Sequence, residues 1–398
     1  MTEKSKDQKV LPERRFLKCR NLWDEAILMS SNSFGTVASG AAMSRRGVLK
    51  TAAACAAAAF VSGGCAHASP AFPASDHWDP ASGRFHALDP MSPAKNVFGA
   101  LWTMSVHERE EGRHPLRPLP VARPDWDRFL APQERPQYVW LGHSSILMRQ
   151  AGVTIAVDPV VGESVSPVPM LMHRFQAPPV ALSDFPAVDA TLITHSHYDH
   201  LEEPTVRALA ARGSRFVCPL GVGEILRDWD IASDRIRELD WWESEELAPG
   251  LSVTAVPGRH MSGRGLTDQN RTLWCGYFIV GPGGTTYCTG DTSWGRHFAM
   301  IRDRFPAPDV AFIENGQYNE RWRDVHMFPG ETAMAAKTVR AGRFVPIHWG
   351  AYSLALHAWN ASVIQSTAKA RELGVSPLTP HLGEVFDRST VTTDWFDA

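Results

Sequence analysis

From about residue 136 onward, short apolar runs recur along the chain, rich in Val, Ile, Thr, Phe and Tyr and bounded by Gly, Pro, Asp or Asn. Runs of this length and composition predict strands at 153–159, 190–195, 215–219, 251–258, 272–281, 285–291, 310–315 and 343–350. Stretches with helical spacing lie between them, at 203–213, 221–230, 329–341 and 361–374. The first has Pro204 in its opening turn and Gly213 as its stop. Strands interleaved with helices predict a layered α/β domain over 136–398. Residues 69–135, rich in Pro, His and Trp, show little periodicity and predict a mostly irregular arm packed on that core.

The polar residues fall at particular places in this pattern. His195, Asp291 and His348 each sit at or near the C-terminal end of an apolar run, and His260 follows another run by two residues. Strand ends pointing one way form one edge of a sheet, and α/β proteins build their sites along that edge. The stretch HSHYDH packs His195, His197, Asp199 and His200 into six residues. Imidazoles and carboxylates are good ligands for Zn²⁺ and similar ions. In an extended H-x-H the two rings lie on the same side and can share one ion. Asp199 and His200, beyond the bend, can serve a second. With His260, Asp291 and His348 the candidates number seven, too many for one tetrahedral site. They suit two ions about 3.5–4 Å apart with a water between them. Structural histidines bonded to backbone carbonyls are the alternative, which seven groups in this order make hard to sustain.

The order HSHYDH, GRH, TGDT and IHWG resembles the signature of the metallo-β-lactamase fold superfamily, H-x-H-x-D-H followed by a later His, Asp and His. The resemblance implies a four-layer αββα sandwich. It also implies that His195, His197 and His260 hold one metal ion, that Asp199, His200 and His348 hold a second, and that Asp291 bridges them. The segments YVWLGHSSILM, VDPVVGESVSP, HRF, ELDWWE, DQNRTLW and FIENGQYNERW are similar to the branch containing N-acyl-phosphatidylethanolamine-hydrolysing phospholipase D. That likeness runs from about 136 to 385. It implies two Zn²⁺ ions as cofactor, with Fe or Mn also compatible with the ligand types. It further implies attack of a hydroxide, held between the ions, on a glycerophospholipid phosphodiester, with Asp199, Asp291 and His326 as catalytic residues. His326 stands in HMFPGE, where the resembling enzymes carry a histidine over the substrate phosphate, as a proton donor. The loop leading into His326 is shorter here than in those enzymes. Its ordinary alternative is a loop histidine bonded to backbone.

Other residues carry weaker readings. Asp158 ends a strand in VDP and either orients a ligand histidine from behind or forms an Asx-turn before Pro159. His143 supports either the site or only its strand. Trp241 and Trp242 read as core. The apolar loop SPVPMLMHRF at 166–175 is a candidate for contact with acyl chains or a membrane surface, although a Met/Leu run is more often core.

Composition changes the picture mainly at the N-terminus. SRRGVLK at 44–50 precedes an apolar run and then Ala66-His67-Ala68. A twin arginine, a modest apolar stretch and an A-x-A site, in that order, predict a leader over 1–68 that directs twin-arginine export to the periplasm. Two alternatives sit inside it: a start at Met43, and lipidation at Cys65 with membrane anchoring. Removing 1–68 leaves 30 basic and 38 acidic residues, a net charge of −8, and no basic run to follow a phosphate backbone, so nucleic acid is excluded as a partner. Cys218, Cys275 and Cys288 remain, an odd number in apolar runs, and read as buried thiols. No residue encodes the oligomeric state. A lactonase of the same fold, resembling the L-ascorbate-6-phosphate lactonases, is the rival activity. A non-catalytic metal-binding protein is a more distant one, since a closed structural zinc site has four ligands.

Overall fold

A computed structural model of the chain describes residues 72–92, 112–167 and 171–397. The leader, the twin arginine, Cys65, the 66–68 cleavage site and Met170 lie outside the described residues. No helix among the described residues is long and apolar enough to cross a membrane.

Two sheets form the centre. In the first, β3 (Gln137–Trp140), β4 (Ile146–Gln150), β5 (Val153–Val157), β6 (Ala190–Leu192), β7 (Arg215–Pro219) and β8 (Ile236–Leu239) lie side by side, with β15 (Val385–Phe386) against β3. In the second, the order is β14 (Arg343–Ile347), β13 (Val310–Glu314), β12 (Gly284–Cys288), β11 (Gly276–Gly281), β10 (Leu251–Val256) and β9 (Ser244–Ala248). The pairs from β5 to β8 and from β12 to β14 are parallel and the rest are antiparallel. A small hairpin, β1 (Trp78–Asp79) with β2 (Arg84–Phe85), stands apart.

Strand alternation distributes one sequence pattern between two cores. Along β4, Ile146 and Met148 face the opposite sheet while Leu147 faces outward; along β13, Val310 and Phe312 face in while Ala311 and Ile313 face out. Successive side chains on a strand point to opposite faces, so a strand buried on both sides must be apolar at every position. The inward residues of both sheets make one continuous core. The Tyr138 hydroxyl crosses it to the Thr286 hydroxyl at 2.6 Å. Outside the first sheet pack α1 (Trp126–Leu130), α2 (Glu203–Ala211) and α3 (Val222–Asp228), through Phe129, Val206, Leu209, Val222 and Leu226. Outside the second pack α4 (His297–Arg304), α5 (Pro329–Thr338) and α6 (Ala361–Glu372), through Phe298, Ile301, Ala333, Ala336 and Ala370. The result is the αββα sandwich that the sequence implied.

All eight expected strands and all four expected helices form, the strand at 215–219 with the expected bounds and the others with shifted ends. The run at 272–281 pairs as a strand only from Gly276. Before that, Leu273 and Cys275 donate backbone N–H groups to Leu220 and Thr194 of the other sheet's connections, at 2.8 and 2.9 Å. Helix α2 has Pro204 in its first turn and ends before Gly213, whose φ is +99°. The pattern does not predict the strands β1 to β4, β8, β9 and β15 or the helices α1 and α4. Helix α4 buries only His297, Phe298 and Ile301 in a charged stretch, so its apolar stripe is too thin to read. The described parts of 69–135 reach the core through Trp78, Phe85, Leu119 and Phe129.

Trp241 is buried and donates its indole N–H to the Trp274 carbonyl at 2.6 Å; Arg304 stacks over Trp242. Both therefore serve as core. Met172 packs against a small cluster of Val160, Val165, Ala351 and Tyr352. Cys218, Cys275 and Cys288 are free and buried.

Candidate metal centre

Strands β3, β5, β6, β10, β12, β13 and β14 run in one direction and end at the same rim. Their last turns deliver His143, Asp158, His195 with its motif, His260, Asp291, Glu314 and His348. Three of these, His143, Asp158 and His348, take left-handed backbone with φ of +52°, +42° and +68°. Such conformations cost non-glycine residues about 1–3 kcal/mol each and need a surrounding structure that enforces them. Here that enforcement includes reciprocal pairing. The N–H of His143 donates to the Trp349 carbonyl at 2.8 Å, and that of His348 to the His143 carbonyl at 2.9 Å. The pairing ties the two sheets together at the rim. Gly316 lies beneath it, where a Cβ would fall 1.9 Å from the His348 carbonyl oxygen.

The structure brings all seven signature residues together, in two groups. His195, His197, His260 and Asp291 offer ligand atoms within 4.8 Å of one another, and so do His143, Asp199, His200 and His348. In the first group His195 Nε2 and His260 Nε2 lie 2.8 and 3.3 Å from His197 Nδ1. In the second, Asp199 Oδ2 is 3.5 Å from His200 Nε2 and 3.4 Å from His348 Nε2. Asp291 faces both: one oxygen is 3.9 and 3.7 Å from His195 and His260 and 3.1 Å from His348, and the other is 3.2 Å from His200. His326 joins Asp291 and His348 in a third convergence.

Outer partners fix which ring nitrogen faces inward. Asp158 sits 2.7 Å from His200 Nδ1 and also accepts from the backbone N–H and hydroxyl of Thr194. His260 Nδ1 lies 2.9 Å from the Val325 carbonyl. Each outer nitrogen then carries the proton, and the inner Nε2 presents a lone pair. Asp158 thus takes the orienting role, not the Asx-turn. His143 turns its Nε2 onto Asp199 at 2.8 Å and so supports the site directly.

Charge follows from these contacts. Burial holds His195 and His260 well below the usual imidazole range, and takes His197 down to about 4 and His143 to about 3. Burial alone would also lower His200 and His348, but Asp291 beside both, with Asp199 close by, drives them well above it. Burial would raise Asp199 and Asp291; the facing histidines outweigh it and hold both well below the carboxylate range. A metal ion needs neutral imidazoles and ionised carboxylates. His195, His197 and His260 as neutral imidazoles and Asp199 and Asp291 as carboxylates meet that need as they stand, and His200 and His348 would each give up a proton to a bound ion. His200 Nε2 and Asp291 Oδ1 are buried with no hydrogen-bond partner, and a cation between them would satisfy both.

Two residues behind the cluster were not anticipated. Glu314 ends β13 fully buried, with a carboxylate oxygen 3.3 Å from His326 Nδ1 and 3.5 Å from His348 Nδ1. Its signal in the sequence was a lone acid closing a wholly apolar strand. Arg264 donates to the Ser196 and Leu201 carbonyls, both at 2.8 Å, and stacks on Tyr198, so it grips the HSHYDH turn on both sides. Nothing local to the motif marks it. Arg264→Met should cost about 3 kcal/mol, because charged hydrogen bonds of this kind contribute about 1.5–3 kcal/mol each. Chemical denaturation of the two proteins checks this, and an unchanged midpoint would contradict it.

Comparison with known proteins bears on what this centre is. Residues 154–349 match a family model described as a beta-lactamase superfamily domain. The chain is 30% identical over 270 residues to N-acyl-phosphatidylethanolamine-hydrolyzing phospholipase D 1 of Caenorhabditis elegans, covering 63% of this chain and 75% of that protein. The chain belongs to the metallo-β-lactamase fold superfamily.

Within that superfamily it is also 37% identical over 314 residues to an uncharacterized protein of Mycobacterium tuberculosis, covering 77% of this chain and 83% of the relative. Among solved structures, an isothiocyanate hydrolase from Delia radicum gut bacteria superposes with a TM-score of 0.52 at 21% identity, over 63% of this chain and 98% of the other. That likeness concerns the fold alone. The superfamily match spans the rim from β5 to the residues just after β14 and so includes all seven signature residues.

Proposed function

We propose that the protein is a dinuclear metal-dependent hydrolase that cleaves a phosphodiester, in a glycerophospholipid such as N-acyl-phosphatidylethanolamine. His195, His197 and His260 would hold one ion, Asp199, His200 and His348 the other, and Asp291 would join them. The observation that carries this reading is the two-group cluster sharing Asp291, in a chain related to the C. elegans phospholipase. Two divalent ions bound there would supply Lewis acidity and an activated water at neutral pH. Zn²⁺ suits the imidazole-rich set best, and Fe or Mn remain compatible with it.

The chain's own residues do the rest. Asp291 keeps both groups in register because its two oxygens face different histidines. Asp199 is held by His143 and so cannot swing away from the second group. His326, at the mouth of the cluster and 14% exposed in its side chain, would donate a proton to a phosphate oxygen or to the departing alcohol oxygen. Its ring stacks on His348 at 5.0 Å, which sets it beside the second group without making it part of that group.

The test is hydrolysis of bis(p-nitrophenyl) phosphate and of N-acyl-phosphatidylethanolamine in mixed micelles by the metal-loaded protein, beside a panel of lactones. Release of p-nitrophenol, and of an N-acylethanolamine with phosphatidic acid, is expected. His326→Gln should lower kcat about 100-fold or more with metal content unchanged. Cleavage of lactones alone would overturn the phosphodiester reading.

A further inference from the structure

Glu314 has a use that the two-ion arrangement does not by itself require. It closes β13 between the ends of β12 and β14, which deliver Asp291 and His348. Its backbone is held at both sides: the N–H donates to the Thr289 hydroxyl at 3.0 Å, and the carbonyl accepts from the Thr332 hydroxyl at 3.0 Å. One carboxylate oxygen, Oε2, accepts from the backbone N–H of Met327 at 3.0 Å, next to His326. The other, Oε1, is buried without a hydrogen-bond partner. His326 Nδ1 and His348 Nδ1 are likewise buried without one. These three atoms face each other, at 3.3 and 3.5 Å from the shared oxygen. A buried carboxylate oxygen left bare is strongly disfavoured, and the two ring N–H groups beside it are the donors in reach.

We propose that Glu314 is a positioning residue that anchors two histidines with different tasks through one oxygen. By accepting the Nδ1 proton of His348 it leaves the Nε2 lone pair of that ring for the second ion. By accepting the Nδ1 proton of His326 it turns the opposite nitrogen of that ring toward the cleft. Its second oxygen, on the Met327 N–H, fixes the backbone that carries His326. Ion binding at the second group and alignment of the proton donor therefore depend on the same side chain. The inference rests on the two-ion reading of the centre and not on the identity of the substrate.

The experiment uses the full chain and reads metal before activity. Wild type, Glu314→Gln, Glu314→Asp and His326→Gln are titrated with Zn²⁺ against a chromophoric chelator. Their Co²⁺ forms are compared by visible absorption, and kcat for bis(p-nitrophenyl) phosphate is measured at saturating metal. Glu314→Gln should keep one tight ion and bind the second about 10- to 100-fold more weakly, with an altered Co²⁺ spectrum. His326→Gln should bind both as wild type does. With the second ion restored by excess metal, Glu314→Gln should still show the reduced kcat of His326→Gln, and the double variant should fall little further. Should Glu314→Gln fail to fold, Glu314→Asp, which keeps the charge and shortens the reach, should show the same weakening of the second ion. Wild-type affinity for both ions in the Glu314 variants, or a full return of kcat at saturating metal, would overturn the proposal. A wild-type chain that binds fewer than two ions would overturn the two-ion reading beneath it. Two ions bound without diester cleavage would leave the metal arm of the proposal standing and remove the substrate reading alone.

Discussion

Asp291→Asn should reduce kcat/KM by at least about a thousandfold, and bound metal should fall below two ions per chain. The substitution keeps the shape of the side chain and removes the one charge that faces both groups. Asp291 lies within 4 Å of four histidines, two from each group. An amide in that place has one oxygen where two are needed, and turns an N–H₂ group toward atoms that must present lone pairs. His200 and His348 also lose the carboxylate that does most to raise them. The loss should be much larger than for His326→Gln, because His326 contributes one proton transfer while Asp291 holds the two groups in register. Metal analysis beside steady-state kinetics distinguishes the two variants. Retention of more than about a tenth of wild-type kcat/KM would sink the idea that Asp291 is the shared residue.

Stripping the metal should lower Tm by about 10 °C or more and abolish hydrolysis, with both restored by adding a divalent ion. An ion present at about a thousand times its Kd stabilises the folded state by about 4 kcal/mol, and each kcal/mol is about 2–4 °C for a domain of some 150–250 residues. The chain should not unfold outright. Without ions, protonated His200 and His348 face Asp199 and Asp291, so the buried charges remain compensated. The inter-sheet core, which runs the length of both sheets, does not depend on the rim. Differential scanning calorimetry with chelator, and again after Zn²⁺ is returned, checks both halves of this expectation. A Tm that does not move on complete metal removal would mean that the cluster does not bind its ions in the folded state to any useful degree.

The rim explains why much of the site was legible in advance. HSHYDH is local: its spacing alone places rings on one side of an extended segment, and the turn that follows presents the next two candidate ligands. Asp291 and His348 could be read because each ends an apolar run, and the signature order supplied the pairing. Strand β14 is buried from Phe344 to Ile347 and reads as a continuous apolar run, while β12, only half-buried at its start, reads as a strand through its Thr, Tyr and Cys residues. Strands β8 and β9 have exposed or half-exposed positions and mixed polarity, and blended into the connections.

What the sequence by itself determined is the layered α/β class, the strands beneath the site except β3, and a set of seven metal-type residues with their order. What only the tertiary structure decided is which residues stand behind them. Asp158 could have been an Asx-turn, and His143 a strand support; their roles depend on distances across the rim to His200 and Asp199, residues more than forty positions away. Glu314 and Arg264 act on His348, His326 and the HSHYDH turn through contacts between separate strand ends and loops. A ligand set can be written into a short local spacing. The groups that orient its rings are hydrogen-bond partners chosen by where chain segments meet, and a linear pattern carries no record of those meetings until the two sheets close face to face.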